Sequence, residues 1–149
     1  DKQQIWEQLR RLDPVLAGQI QVSPIDFSSI QQLIHHPTTA ILNFYTSSND
    51  THIFVIRQDQ ISLHTCTGLG FETFQASILV HWLGQYVDNQ ETWKDQFIDL
   101  TSELAELLEL NDLIARHLKN ISELIIIPYL GLHQIPFAAL PIGEHEYLG

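Results

Sequence analysis

The sequence predicts an α/β fold, on three observations. β-rich runs at Ala40–Thr46, Thr51–Arg57 and Ile61–Thr65 are separated by short polar turns. From Phe71 to Leu118 apolar residues recur at three- and four-residue steps, the period of helices packed on one face. Then ELIIIP, Glu123–Pro128, follows a helical stretch as a continuous Ile/Leu run. Such a run reads as a central strand buried on both faces of a parallel sheet.

In chain order, Ile5, Trp6, Leu9, Leu12 and Leu16 make an apolar stripe that predicts a helix over 3–20, interrupted at Pro14. Ser23-Pro24-Ile25-Asp26 is a helix start: an N-cap serine, proline at the first position and an acid in the first turn. Ile25, Ile30, Leu33 and Ile34 supply its buried side, and Pro37 stops it. Ser47-Ser48-Asn49-Asp50 closes a hairpin between the first two strands, and Gln58-Asp59-Gln60 leads to a third, giving an antiparallel meander with Cys66 at its end. After Gly68 and Gly70, the residues Phe71, Phe74, Ile78, Leu79, Trp82, Leu83 and Tyr86 share one helical face. The polar Val87–Gln96 stretch holds a loop and a new helix start. Trp93, Phe97, Leu100, Leu104, Leu107 and Leu108 continue at helical spacing, and Asn111 or Asp112 caps a last helix through Leu118.

Composition bounds the partners. The chain has 149 residues and 44% hydrophobic residues, enough for one domain with a core. Its net charge is −11, from 7 Lys+Arg against 18 Asp+Glu, and the basic residues are scattered. Phosphate backbones demand clustered positive charge, so nucleic acid and anionic membrane are excluded as expected partners. No run approaches a membrane span and no signal peptide opens the chain. One cysteine forbids an internal disulfide, and a reducing cytoplasm is the compartment that fits. Asp1 stands where an initiator methionine would, in a chain without Met, which suggests a piece of something longer.

The side chains with chemistry are few. HTCTG, His64–Gly68, holds the lone cysteine two residues from a histidine. On a strand, residues two apart stand side by side on one face, not aimed at each other, so Cys66 is read as a core or half-exposed residue. A local redox role and a nucleophile are its lesser alternatives. Eight histidines invite a metal, and His52 on the neighbouring strand is placed to approach His64 and Cys66. Paired short ligand spacings are absent, so no metal ligand and no cofactor are expected. His35 and His36 are read as lying near a helix C-terminus, where a cationic ring is favoured. Glu103, Glu106 and Glu109, like Asp88, Glu91 and Asp95, are read as solvated faces. Gly68-x-Gly70 lacks the further glycine of a nucleotide loop.

The C-terminal stretch LIIIPYLGLHQIPFAALPIGEHEYLG, Leu124–Gly149, carries a resemblance. A buried strand runs into proline at Ile125–Pro128, a turn follows at Gly131-Leu132, and Pro136–Leu140 reads Pro-Phe-Ala-Ala-Leu. This resembles the CHAT domain, a caspase-like domain often found behind tetratricopeptide repeats. TTAILNFYTSSNDTHIFVIRQDQI, Thr38–Ile61, is similar to that family's N-terminal hairpin region, and the resemblance covers roughly Ile25 to Gly149. It implies 1–22 as a helical linker or the end of an upstream region, and 23–149 as the N-terminal portion of the domain. The fold it implies is helices and a β-meander leading through helices into the first strand of a caspase-like parallel sheet. The implied parent is a cysteine peptidase acting on peptide, with a catalytic histidine in a His-Gly context and a cysteine in a Cys-x-Thr-Gly-like context, both after the Pro-Phe-x-x-Leu segment. This chain holds neither, so no catalytic residue is assigned and the chain alone is expected to be inactive. His133, Gly131, Pro136 and Phe137 then line the future cleft, beyond the carboxyl end of the strand. The expected partners are the downstream half of the domain or a second copy, and tetratricopeptide repeats. The alternative is a stand-alone interaction or scaffolding module.

Overall fold

The computed structural model describes residues 26–143 and 146–149, so the helix expected over 3–20 lies outside the described residues. The chain divides into two units, Asp1–Leu33 and Ile34–Gly149. In the first, α1 spans Phe27–Gln31. Its N-cap is Asp26, not the expected Ser23, and the Asp26 carboxylate accepts from the Ser29 N–H at 2.8 Å. Ser28 donates to the same oxygen, and these bonds hold the carboxyl below its ordinary range. Ile30 is half-buried and Leu33 is exposed, so the expected apolar side of this helix is only partly realised.

The second unit is a sheet with helices packed on one face. Strands β1 (Thr39–Thr46), β2 (Thr51–Ile56) and β3 (Ile61–Cys66) form the expected antiparallel meander. The first turn is local chemistry: the Ser47 N–H donates to the Asp50 carbonyl at 2.8 Å, and the Ser47 hydroxyl accepts from the Asp50 N–H. That turn is clamped to the loop after β3. The Gly68 N–H donates to the Asp50 carboxylate at 2.9 Å, and the Phe71 N–H to the Ser47 carbonyl at 3.0 Å. Gly70 is needed there because a Cβ would collide with the Ser48 carbonyl.

Then comes one run of helix. Phe71–Phe74 (α2) passes into nine residues of π-helix, Gln75–Leu83, and out again as α3 (Gly84–Asp88). The wider i→i+5 turns shift the register, so 3.6-residue spacing no longer marks a single face. Phe74 and Trp82 are buried, while Phe71 and Tyr86, expected on the same side, are exposed. The side chains of Ile78 and Leu79 lie outside those described. α4 (Gln90–Asp95) starts at Asn89, whose side chain accepts from the Glu91 and Thr92 N–H groups. α5 (Phe97–Leu107) and α6 (Leu110–His117) follow. Trp93 meets Trp82, Tyr86 and Phe97 edge-on, each at 5.2 Å. Glu109 precedes α6 in a left-handed conformation (φ 48°), so neither Asn111 nor Asp112 is the cap. Both lie within the helix.

β4 (Glu123–Ile127) lies parallel to β1, giving the order β3-β2-β1-β4 in a mixed sheet. Thr39 fixes the register, donating from Oγ1 to Glu123 at 2.6 Å. The expectation of a central strand buried on both faces fails here. β4 is the outer strand among the described residues, and Ile125 and Ile127 are 44% and 46% exposed. The core lies on the other face. Ala40, Leu42, Phe44, Ile53, Val55 and Cys66 pack with Leu100, Leu104 and Leu108 of the α5 region and with Leu110, Leu113, Leu132 and Leu140. No helix among the described residues is long and apolar enough to cross a membrane.

Candidate functional site

β3 ends with His64 and Cys66 on the core face, opposite Ile53 and Thr51 of β2. Alternation along the strand puts both side chains there and sends Thr65 to the other side. His52 is turned to that other side as well, where its Nδ1 lies 3.2 Å from the Thr65 hydroxyl. The expected approach of His52 to His64 and Cys66 therefore does not occur. The third group at this end is Glu109, at the joint between α5 and α6. Its left-handed backbone aims the carboxylate back at the sheet, and Oε2 stops 3.0 Å from His64 Nε2. Glu109 thus leaves the solvated row in which the leucine-rich spacing placed it, whereas Glu103 stays at the surface beside His81 at 3.3 Å.

Burial sets the electrostatics of this cluster. His64 is 4% exposed and Cys66 1%. His64 Nε2 is a buried ring nitrogen that faces the Glu109 carboxylate at 3.0 Å without a formed hydrogen bond. Burial pushes the Cys66 thiol up to about 12, with the nearby Glu109 charge adding to it. His117, at the end of α6, meets the His64 ring edge-on at 5.8 Å. Its pKa is lowered, first by burial, then by the charges of His64 and Arg116, against a smaller opposite pull from Asp112.

This arrangement bears directly on Cys66. A nucleophilic cysteine needs a depressed pKa and a base aimed at its sulfur. Here the thiol is raised and the buried imidazole nitrogen faces a carboxylate. What the cluster does offer is donors: one nitrogen, sulfur and carboxylate oxygen from His64, Cys66 and Glu109 all lie within 4.8 Å of one another. Sequence spacing revealed the first two. Glu109 and His117 arrive from more than forty residues downstream, and no local pattern marks them.

The cleft-lining candidates follow the carboxyl end of β4, at the same end of the sheet but beside the opposite edge strand. After β4, Leu130–Gln134 and Phe137–Ala139 form short 3₁₀ turns. Gly131 is buried, His133 exposed, and Pro136 half-buried. Phe137 is half-buried, with its ring 5.4 Å from that of Phe44. An open groove of about 540 Å³ runs between α5 and the C-terminal residues, lined by Phe97, Ile98, Thr101, Ala138, Pro141 and Tyr147 among others. None of the four cleft candidates lines that groove. His35 and His36 are exposed, as are Asp88, Glu91 and Asp95. No family model, curated protein or solved structure matches the chain.

Proposed function

We propose that this chain is the N-terminal, non-catalytic portion of a CHAT-type, caspase-like cysteine peptidase domain, and that its work is scaffolding. The observation that carries the reading is the position of β4. The strand that leads into the Pro-Phe-Ala-Ala-Leu segment sits at the outer side of the sheet, parallel to its neighbour, with Ile125 and Ile127 uncovered. A parallel sheet is covered by helices on both faces, so further strands added beside β4, with their crossover helices, would cover these side chains. The meander would then form the far side of the sheet, and the helices of α5 and α6 one of its two layers.

In this reading the chemistry belongs to residues after Gly149. A thiolate attacks the scissile carbonyl and a histidine carries the proton. The residues encoded past Gly149 test it. A strand ending in His-Gly, then one ending in Cys-x-Thr-Gly, is the expected result. A continuation without them leaves the second reading, a scaffolding module in which the β4 edge and the apolar face beside it meet a second copy. The same exposed strand supports that alternative, through edge-to-edge pairing.

A further inference from the structure

We propose that His64, Cys66 and Glu109 form a zinc site that ties β3 to the α5–α6 joint. The donor set is mixed: an imidazole nitrogen, a thiol sulfur and a carboxylate oxygen, all within 4.8 Å of one another. Those are the three ligand types zinc takes from protein. A tetrahedral zinc with bonds of about 2.0–2.3 Å sets its donors about 3.3–3.8 Å apart, so small side-chain adjustments close the site. His64 and Cys66 are preset by strand alternation, two residues apart on one face.

His64 supplies the independent observation. Its Nε2 is buried, forms no hydrogen bond and faces the Glu109 carboxylate, the second proposed ligand, at 3.0 Å. A native core leaves few such atoms unsatisfied, and a metal bond satisfies this one. Charge agrees. A thiolate and a carboxylate together neutralise a divalent ion, which makes the bound state an electrically balanced one in a buried place. Binding forms the metal–sulfur bond and releases the Cys66 thiol proton to solvent. The Glu109 conformation also fits, since a non-glycine residue in the left-handed region is held there by its surroundings. The fourth position falls to water.

Cobalt(II) is the probe, because a cobalt–thiolate bond absorbs in the near ultraviolet and tetrahedral cobalt has intense visible bands. The metal-stripped 149-residue chain is titrated with cobalt(II), then with zinc(II) in competition. The expected result is one equivalent bound with both spectral signatures, displaced by zinc. Cys66→Ser removes the thiolate band. Glu109→Gln, at a half-exposed side chain that leaves the core intact, weakens binding by about 100-fold or more, at least what loss of an outer-shell partner costs. Two results overturn the proposal: no stoichiometric binding by the folded chain, or binding without a thiolate band. If Cys66→Ser fails to fold, Glu109→Gln decides, since unchanged affinity in that variant also overturns it.

Discussion

The two faces of the sheet carry similar side chains under different cover. On one, Leu42, Ile53 and Val55 are at most 1% exposed beneath helices that contribute Leu104, Leu108 and Leu113. On the other, Ile41 and Ile56 are buried, but Leu63, Ile125 and Ile127 are 52%, 44% and 46% exposed, and Tyr45 stands open beside them. Strand chemistry alone does not cleanly separate these faces, because the second carries Ile41, Phe54, Ile56, Leu63, Ile125 and Ile127 beside Asn43, His52, Thr65 and Glu123. An antiparallel sheet with one wet face alternates apolar and polar side chains, and this one does so only in part. Large apolar residues on both faces are what the proposed scaffold reading requires, because a sheet covered on both sides buries both.

The largest expected effects set the faces against each other. Leu42→Ala or Leu108→Ala should cost about 2–5 kcal/mol, as large-to-small changes in a packed core do. Leu63→Ala or Ile127→Ala should cost less than about 1 kcal/mol. Urea midpoints with unchanged slopes measure both, and equal costs would erase the comparison. Gly70→Ala should come next, at about 1–3 kcal/mol, because a Cβ strikes the Ser48 carbonyl and forces the hairpin tip off the loop it is clamped to. Its effect should vanish if that clamp is not formed in solution.

Cys66 sharpens the view of the covered face. In the metal-free chain its thiol should react with alkylating reagents only as fast as the protein opens. Because burial raises this thiol from 9.0 to about 12, the unfolded chain ionises first. The folded state holds more protons across that interval, so stability is full below pH 9 and falls as pH rises from there towards 12. Cys66→Ala should flatten that fall, and denaturation monitored against pH checks it. The smallest change in stability belongs to the open face: Ile125→Lys with Ile127→Lys should stay within about 0.5 kcal/mol in the chain alone. The same pair should lower binding of a hydrophobic dye and abolish any self-association seen by sedimentation.

Much of the backbone was legible. The three meander strands fall within a residue of their expected ends, because Ser47–Asp50 and Gln58–Gln60 are turns made by neighbouring residues. What failed depended on distant contacts or on backbone geometry without a sequence mark. ELIIIP has the composition of a doubly buried strand, yet nothing in its letters says which neighbours are present. The π-helix of Gln75–Leu83 has no signature in the heptad-like spacing that it disrupts. Glu109 reads as one more acid on a leucine-rich helix until a left-handed turn points it at His64. Cap positions moved for a similar reason: Asp26 and Glu109, not Ser23 and Asn111 or Asp112, precede the helices. Of the candidate cluster, His64 and Cys66 were therefore visible and Glu109, at the α5–α6 joint, was not.

Hydrogen exchange at β4 tests the central claim most directly. The peptide covering Glu123–Ile127 is compared with the one covering Thr39–Thr46 in the chain alone, by mass spectrometry. Among the described residues β4 is paired on one side only, whereas β1 is flanked by β2 and β4, so β1 should be the better protected while about half of the β4 amides, those facing outward, exchange rapidly. Extending the chain past Gly149 should then protect β4 to the level of β1. Protection of β4 equal to that of β1 in the 149-residue chain would show its edge already occupied, and would contradict an open sheet awaiting its next strand.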